Sequence, residues 1–469
     1  MVRDLKYQIV QNKPEIIWIN SKLLEDRIDY DFYSINQIRV VEKLTKVSYR
    51  KLDDLVKAKR SEPQTDSKDF SYDGIDVIRM SDIDDFIIDF SNTVKIPIDI
   101  YENLKEFTLK PNTVIFGLTG VTLGKAVPIS KNIKKCITNR RIAQLEIKDA
   151  FDSFYIATFI NTQYGRSQLF RYSTGVAQPN IRLEDTGEIL VPIPDYDIQK
   201  YIGDKVRKAE ELREEAKTLQ KEIDILLEVD MLLKEETDKV YNIYDSKINW
   251  TNEINIEDRI DPNFYQKKYI STIEKLGNNK VRLEKYVRIT KIRYQTGNIN
   301  KYIEISSINN SFGTIDEVEE LRPEEIPTSA KYQVKEGDIL VSLVRPTRKA
   351  ISIVTKEYDN AICTGGFAVL QSKGKVPVEF LTAVLRTNFV GIQFERYCAG
   401  STYPTINEDD VVKVFIPMYS ENQINKITEN YRRIIDNIYT SKKLIEEAKQ
   451  DVEDLIEGNF DMSKVKATS

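Results

Sequence analysis

The sequence predicts an α+β fold: two homologous mixed α/β modules separated by a pair of long antiparallel coiled-coil helices, with pseudo-two-fold symmetry. Three observations predict it. The only two tryptophans, Trp18 and Trp250, open matching segments, WINSKLLEDRIDYDFY (residues 18–33) and WTNEINIEDRIDPNFY (residues 250–265), offset by 232 positions. Further on, RYSTGVAQPNI (residues 171–181) returns as RYCAGSTYPTI (residues 396–406), offset by 225. A period this long marks a duplicated domain, since solenoid repeats run to about 20–50 residues. The small change of offset assigns the differences in length to loops. Finally, each copy closes on a long uninterrupted stretch of helical periodicity.

Composition sets the bounds. The 469 residues suffice for several domains, with 41% hydrophobic residues to build cores and 30% charged residues to solvate them. No apolar run reaches the about 18 residues of a membrane span, and the N-terminal MVRDLKYQIVQNKPE lacks the pattern of a secretory signal. Cys136, Cys363 and Cys398 show no paired spacing and read as reduced thiols of a cytoplasmic protein. The chain has no histidine, which removes imidazole bases, nucleophile pairs built on them and imidazole metal ligands. A net charge of −5 gives no global nucleic-acid signal, although the acidic stretch 204–238 masks basic patches elsewhere.

Within each copy the elements follow one order. VVEKLTKVS (residues 40–48) and VRLEKYVRIT (residues 281–290) read as strands, then IDVIRMSDI (residues 75–83) and KYIEISSIN (residues 301–309). TVIFGLTG (residues 113–120) matches DILVSLVR (residues 338–345), each a short buried strand ending in a turn. A lysine-bearing loop and another strand follow, GKAVPI (residues 124–129) and RKAISIV (residues 348–354). Both copies end on an aliphatic strand, a proline and a helix start, EILVPIPDYDIQKYI (residues 188–202) and KVFIPMYSENQINKI (residues 413–427).

The helices carry a heptad stripe. The first places Ile202, Val206, Ala209, Leu212, Ala216, Leu219, Ile223 and Leu226 at alternating spacings of three and four. The second does so with Ile424, Ile427, Tyr431, Ile434, Ile438, Ser441, Ile445, Ala448, Val452 and Leu455. A helix of ~40 residues is ~60 Å long and needs a partner for such a stripe. The connection VYNIYDSKINW (residues 240–250) is too short for parallel pairing, so the helices are expected to pair antiparallel. The domains then run 1–197, 198–245 (helix and linker), 246–420 and 421–469 (helix).

These motifs resemble those of the DNA specificity subunit of type I restriction–modification enzymes. The likeness rests on TGVAQPNI, LVPIP and IQKYI, on their second copies AGSTYPTI, FIPM and NQINKI, and on the paired helices; it covers essentially the whole chain. The resemblance implies two target-recognition domains, each reading half of a split duplex DNA site. It implies a spacer that sets the gap and docks two methyltransferase subunits, with restriction subunits as further partners. The chain itself would be non-catalytic and would direct adenine methylation. S-adenosylmethionine, and ATP with magnesium where a nuclease takes part, would be bound by the partners. The second copy departs from the family's Gly-x-x-Gln-Pro-Asn loop, with Tyr403 in place of the glutamine and Thr405 in place of the asparagine.

DNA reading needs cations for phosphates and planar donors for base edges. In the first module the candidates are Lys125, Arg140, Arg141, Gln178, Asn180 and Arg182. In the second they are Arg293, Tyr294, Arg345, Arg348, Lys349, Tyr403, Thr405 and Asn407. A solvated surface charge is the competing reading of each arginine, and a locally capped turn that of Gln178 and Asn180. Pro179 and Pro404 read as loop-shaping. Arg27 and Arg259, within the repeated EDRID, read as structural ties. The helix-pairing residues are Ile202, Val206, Leu212, Leu219, Ile223, Leu226, Ile427, Tyr431, Ile434, Ile438, Ile445 and Val452.

Catalytic signatures do not stand up. No Pro-Pro dipeptide exists to frame a flipped adenine. LTGVTLGKA (residues 118–126) has the wrong glycine spacing for a phosphate loop, and Ala126 replaces its Ser or Thr. LEIKD (residues 145–149) is a short nuclease-like match with Glu146 and Lys148, of a kind common by chance. The rival of another class is a coiled-coil scaffold bearing two protein-binding modules.

Overall fold

A computed structural model describes residues 24, 29, 31–61, 65, 67–84, 86–90, 92–175, 178–227, 259, 261–277, 280–400 and 402–466. Trp18, Trp250, Arg27, most of both EDRID strings and the linker 228–245 lie outside these residues. The chain divides into two compact units, Met1–Leu212 with Thr440–Ser469, and Arg213–Tyr439. Each unit takes a share of both long helices.

The first unit is built on an antiparallel sheet in the order Val56–Arg60, Ile142–Ile147, Thr113–Gly117, Ala126–Pro128. A second sheet orders Val94–Ile96, Ile75–Ile78 and Cys136–Thr138, the last two parallel. Against the first lie Ser153–Asn161 and Gln163–Tyr172, two helices begun by side chains that satisfy the free N–H groups of the first turn. Asp152 accepts from the N–H of Phe154 (2.9 Å) and Tyr155 (3.1 Å), and Thr162 from that of Gly165 (3.3 Å). The core gathers Phe116, Tyr155, Phe159 and Leu169 with Ile202, Val206, Ile445, Ala448 and Val452 of the long helices.

The second unit repeats the plan. Its sheet runs Val287–Ile289, Phe367–Ser372, Ile339–Ser342, Ile351–Ile353. Register is kept as well: Ile142 faces Gly117 in the first module, and Phe367 faces Ser342 in the second, both shifted by 225. In the second sheet, Val77 beside Ile137 becomes Tyr302 beside Ile362, again by 225. The N-terminal strands Tyr49–Lys51 and Lys280–Arg282 are instead offset by 231, so the change in length falls in residues 61–74 against 292–299.

One strand expectation fails. VVEKLTKVS is not extended: Ile35–Leu44 is a helix that puts Leu44 into the core, followed by a turn at residues 45–47. Its β-branched residues suggest a strand, but the face formed with Ile35 and Ile38 upstream has helical spacing. VRLEKYVRIT is two short strands, Lys280–Arg282 and Val287–Ile289, broken by a helical turn at Leu283–Lys285.

The long helices are Tyr196–Leu226 and Glu421–Glu457. In the first unit, Tyr201 meets Phe460 and Lys205 meets Asp451 (2.6 Å), so the chains run in opposite directions. In the second, Glu215 pairs with Arg433, Glu222 accepts from Asn430 (3.1 Å), and Leu227 O accepts from Tyr419 (2.9 Å), the same sense. Ile202, Val206, Leu219, Ile223, Ile427, Tyr431, Ile434, Ile438, Ile445 and Val452 are buried, whereas Leu212 is half-buried. Leu226 is also half-buried; Leu227 takes the buried position. Each buried aliphatic contributes roughly 1.5–3 kcal/mol, against roughly 0–1 kcal/mol for an exposed ion pair such as Arg433–Glu215. The apolar stripe therefore decides the pairing.

Candidate nucleic-acid interface

The residues of the repeated RYSTG loop fold against the turn after the central strand, and both modules build this junction with the same bonds. In the first, Gly120 N–H donates to Pro179 O (2.7 Å), Ile181 N–H to Leu118 O (3.0 Å) and Leu118 N–H to Arg141 O (2.9 Å). In the second, Arg345 N–H donates to Pro404 O (2.8 Å), Ile406 N–H to Leu343 O (2.9 Å) and Leu343 N–H to Gly366 O (2.8 Å). Every one of these positions is related by 225. Thr174 and Asn180 bridge as Ala399 and Thr405 do. The scaffold is fixed by main-chain bonds, so its side chains are at liberty to differ.

Three glycines or their substitutes make the turns possible. Gly175 and Gly400 hold φ of 90° and 86°, where a β-carbon on Gly175 would stand 2.8 Å from Gln178 O. Gly120 and Gly124 also lie in the left-handed region, at 66° and 77°. Their counterparts Arg345 and Lys349 adopt it too, at 47° and 61°, although an L side chain disfavours it.

The structure brings Arg140, Arg141, Gln178 and Asn180 to one loop cluster as exposed residues. Neither Gln178 nor Asn180 makes a side-chain hydrogen bond among the described residues, so no local cap engages them. Lys125 is turned inward and donates to Ile83 O (2.6 Å). Arg182 forms a two-pronged pair with Asp185 (2.7 and 2.8 Å) while staying exposed. In the second module Arg345 stacks over Tyr403, 4.3 Å from its centroid, and donates to Thr402 O (3.3 Å). Tyr403 is 65% exposed, and Arg348, Thr405 and Asn407 are exposed beside it. Lys349 is half-buried, its carbonyl accepting from Arg386 (2.9 Å).

Arg293 is exposed and linked through Tyr332 to Glu408, while Tyr294 is half-buried. Arg293 bridges Tyr332 by its backbone. The Glu408 carboxylate accepts from Tyr332 (2.9 Å) and pairs with Lys291 (2.5 Å). Burial alone would raise the pKa of Glu408, but the bonds from Lys291 and Tyr332 outweigh it and hold it below the usual 4.5. A depressed folded value means the tie is fully present above pH 4.5 and lost as pH falls through that lower value. Hydrogen exchange over residues 291–294, taken relative to the intrinsic rate at each pH, is expected to stay constant from neutral pH down to that point. In Glu408→Gln it is expected to be faster already at neutral pH; equal protection in the variant would refute the tie.

Several residues that hold this surface escaped the sequence reading. Arg171 and Arg396 are buried, each donating to a phenylalanine carbonyl (Phe32 O, 3.1 Å; Phe264 O, 2.9 Å) and stacking on that ring at 3.8 Å. Gln168 spans Leu190 and Gln393 spans Phe415, each through paired donor and acceptor bonds. Asn161 binds Ala126 O (2.8 Å), and Arg386, at the matching position, binds Ile351 O (3.1 Å). Their signal was the repeat itself: Thr162/Thr387, Gln168/Gln393 and Arg171/Arg396 recur at 225. Arg259, in the second EDRID, lies over the Phe264 ring at 5.1 Å.

Among the described residues no cluster of Cys, Asp and Glu is placed to hold a metal ion, and no helix is long and apolar enough to cross a membrane. The three cysteines are unpaired. Burial pushes the Cys136 and Cys363 thiols up to about 12, and the Cys398 thiol up to about 11.

No curated protein matches the chain. Among solved structures, the S subunit of the type I restriction-modification system from M. genitalium is 14% identical, with 88% of this chain and 96% of that chain covered and a TM-score of 0.43. The HsdS subunit from Thermoanaerobacter tengcongensis is 13% identical, with 88% and 97% covered and a TM-score of 0.27. These overlays are loose, and the assignment rests instead on the family model for the type I restriction modification DNA specificity domain, which matches residues 45–224. Residues 45–224, from the first module through nearly the whole of the helix Tyr196–Leu226, thus match the type I restriction modification DNA specificity domain.

Proposed function

We propose that the chain reads a bipartite duplex DNA target, one half-site per module, and directs adenine methylation by partner methyltransferase subunits. The carrying observation is the loop junction built twice at an offset of 225, with the same main-chain bonds and different exposed side chains. A conserved frame with exchanged reading groups suits two modules that present different base contacts. In this reading residues 1–197 and 246–420 are the target-recognition domains, and the two long helices fix the unread gap and offer their outer faces to two methyltransferase subunits. Arg140, Arg141, Arg293, Arg348 and Lys349 supply phosphate or base contacts, whereas Lys125 and Arg182 are engaged by Ile83 O and Asp185 and hold the loops. Tyr294, Asn180, Thr405 and Asn407 line the same surface. S-adenosylmethionine, and ATP with magnesium where restriction subunits join, are held by those partners.

The test is a transplant. Replacing residues 49–181 by the corresponding segment of a second specificity protein is expected to change the methylated motif in one half only. Methylome sequencing of cells with the hybrid reads the outcome. A change in both halves, or in neither, refutes the reading. Binding of the chain to duplex DNA should also fall steeply with salt, because phosphate neutralisation releases counterions. Flat salt dependence would favour the protein-binding scaffold.

A further inference from the structure

One position differs between the modules in a way that the shared frame makes interpretable. In the second module Arg345 stands at the head of the turn, in the left-handed region that Gly120 occupies in the first. Tyr403 lies beneath its guanidinium at 4.3 Å, and the residue matching Tyr403 is Gln178. A β-carbon on Gly120 would sit 3.5 Å from Gln178 Nε2, so the Gln178 amide covers the place from which Arg345 projects. Each module therefore puts one planar, multi-donor group at the same spot on the surface, supplied from the turn in one case and from the opposite loop in the other.

The two groups have different chemistry. A guanidinium held flat against a ring is preorganised for two parallel hydrogen bonds, which the O6 and N7 acceptors of guanine match in the major groove. A carboxamide offers one donor and one acceptor, the pattern that N7 and N6 of adenine match. Arg345 gives one donor to Thr402 O (3.3 Å), which leaves the rest of its fork available. Gln178 is exposed, and its amide bonds to no described residue. The left-handed conformation of Arg345 is a further sign, because glycine would fit the turn without strain and does so in the sister module.

We propose that Gly120–Gln178 and Arg345–Tyr403 form one equivalent base-reading position, at which the first module reads adenine through Gln178 and the second reads guanine through Arg345. The inference rests on the function proposed above and adds the base identity at one position of each half-site.

The experiment is selection of random-sequence duplex DNA by the full-length chain, followed by sequencing of the bound fraction. Wild type is expected to enrich two half-sites, the second with a required guanine. Arg345→Lys keeps the charge and the β-carbon but loses the fork, and is expected to lower discrimination at that base pair by roughly 5–150-fold with the salt dependence unchanged. Arg345→Gly should do the same, with thermal stability equal to or above wild type, since the sister module folds with glycine there. Gln178→Ala should relax one adenine in the other half-site alone.

The proposal is overturned if both half-sites keep their preferences in these variants. It is also overturned if Arg345→Gly weakens all sequences alike and flattens the salt slope by about one, the mark of a phosphate contact. Enrichment of no sequence by wild type would remove the underlying function as well, and is thereby distinguishable from failure at this position.

Discussion

Replacing Arg386 by methionine is expected to destabilise the second unit by about 3–5 kcal/mol, because several buried carbonyls lose a charged donor. Arg386 is 6% exposed, and its guanidinium holds four main-chain carbonyls. Nη1 donates to Lys349 O (2.9 Å) and Ile351 O (3.1 Å), and Nη2 to Asn310 O and Ser311 O (both 2.9 Å). Methionine keeps most of the volume, so the deficit reports unpaired acceptors rather than a cavity, at about 1–3 kcal/mol for each that water cannot reach. Burial lowers the guanidinium pKa, yet arginine remains charged at every ordinary pH, so the deficit should not vary between about pH 5 and 8. Urea unfolding of both proteins at two pH values checks this; a loss under about 1 kcal/mol would show that water replaces the arginine. The first module performs the smaller version of this task with Asn161, which donates to Ala126 O (2.8 Å) and accepts from Ala126 N–H (3.2 Å). The exchange of asparagine for arginine follows the exchange of Gly124 for Lys349. A turn that carries cations in a left-handed conformation is tied down by a longer donor from beneath.

The architecture was legible because duplication is written in the residues that pack. Strands such as Thr113–Gly117 and Ile339–Ser342 are short apolar runs bounded by turns, and the helical stripes have a regular period, so both survive without tertiary information. Ile35–Leu44 was misread because Val40 and Val41 favour strands locally, while the core contact of Leu44 is decided elsewhere in the module. Leu226 and Leu227 are adjacent, and one residue of drift in a 3.6-residue helix moves the buried position from one to the other.

The interface was legible as loops but not as contacts. Charge alone made Lys125 and Arg182 equal to Arg345, yet one ammonium turns to a backbone carbonyl and one guanidinium to a neighbouring carboxylate. Arg171, Arg386 and Arg396 show the reverse difficulty. As letters they look like surface cations; in the fold each is buried and donates to main-chain carbonyls, Arg386 to four of them. Nothing in single-residue preference separates these fates, because they depend on acceptors brought from 35 to 139 residues away.

Tyr431→Ala is expected to lower the stability of the second unit by about 3–5 kcal/mol, with Tyr431→Phe losing only about 0.5–1.5 kcal/mol. Tyr431 is fully buried in the same core as Leu219, Ile223 and Phe389, and its hydroxyl donates to Phe312 O (3.3 Å). Gly313 follows with φ 73°, where a β-carbon would stand 2.6 Å from the Tyr431 hydroxyl and 2.7 Å from Arg386 Nη1. The tyrosine thus belongs at once to the helix seam and to the packing beneath the cationic turn. Removing the ring empties a site the backbone cannot collapse into, since Gly313 and Arg386 fix the opposite wall. Removing the hydroxyl alone leaves that wall filled. Thermal and urea unfolding of the two variants separate the terms, and a similar loss in both would show that the hydrogen bond, rather than the ring, holds the seam. In the second unit the helix seam and the frame beneath the turn are one hydrophobic core, so a substitution in the seam should register at the reading surface.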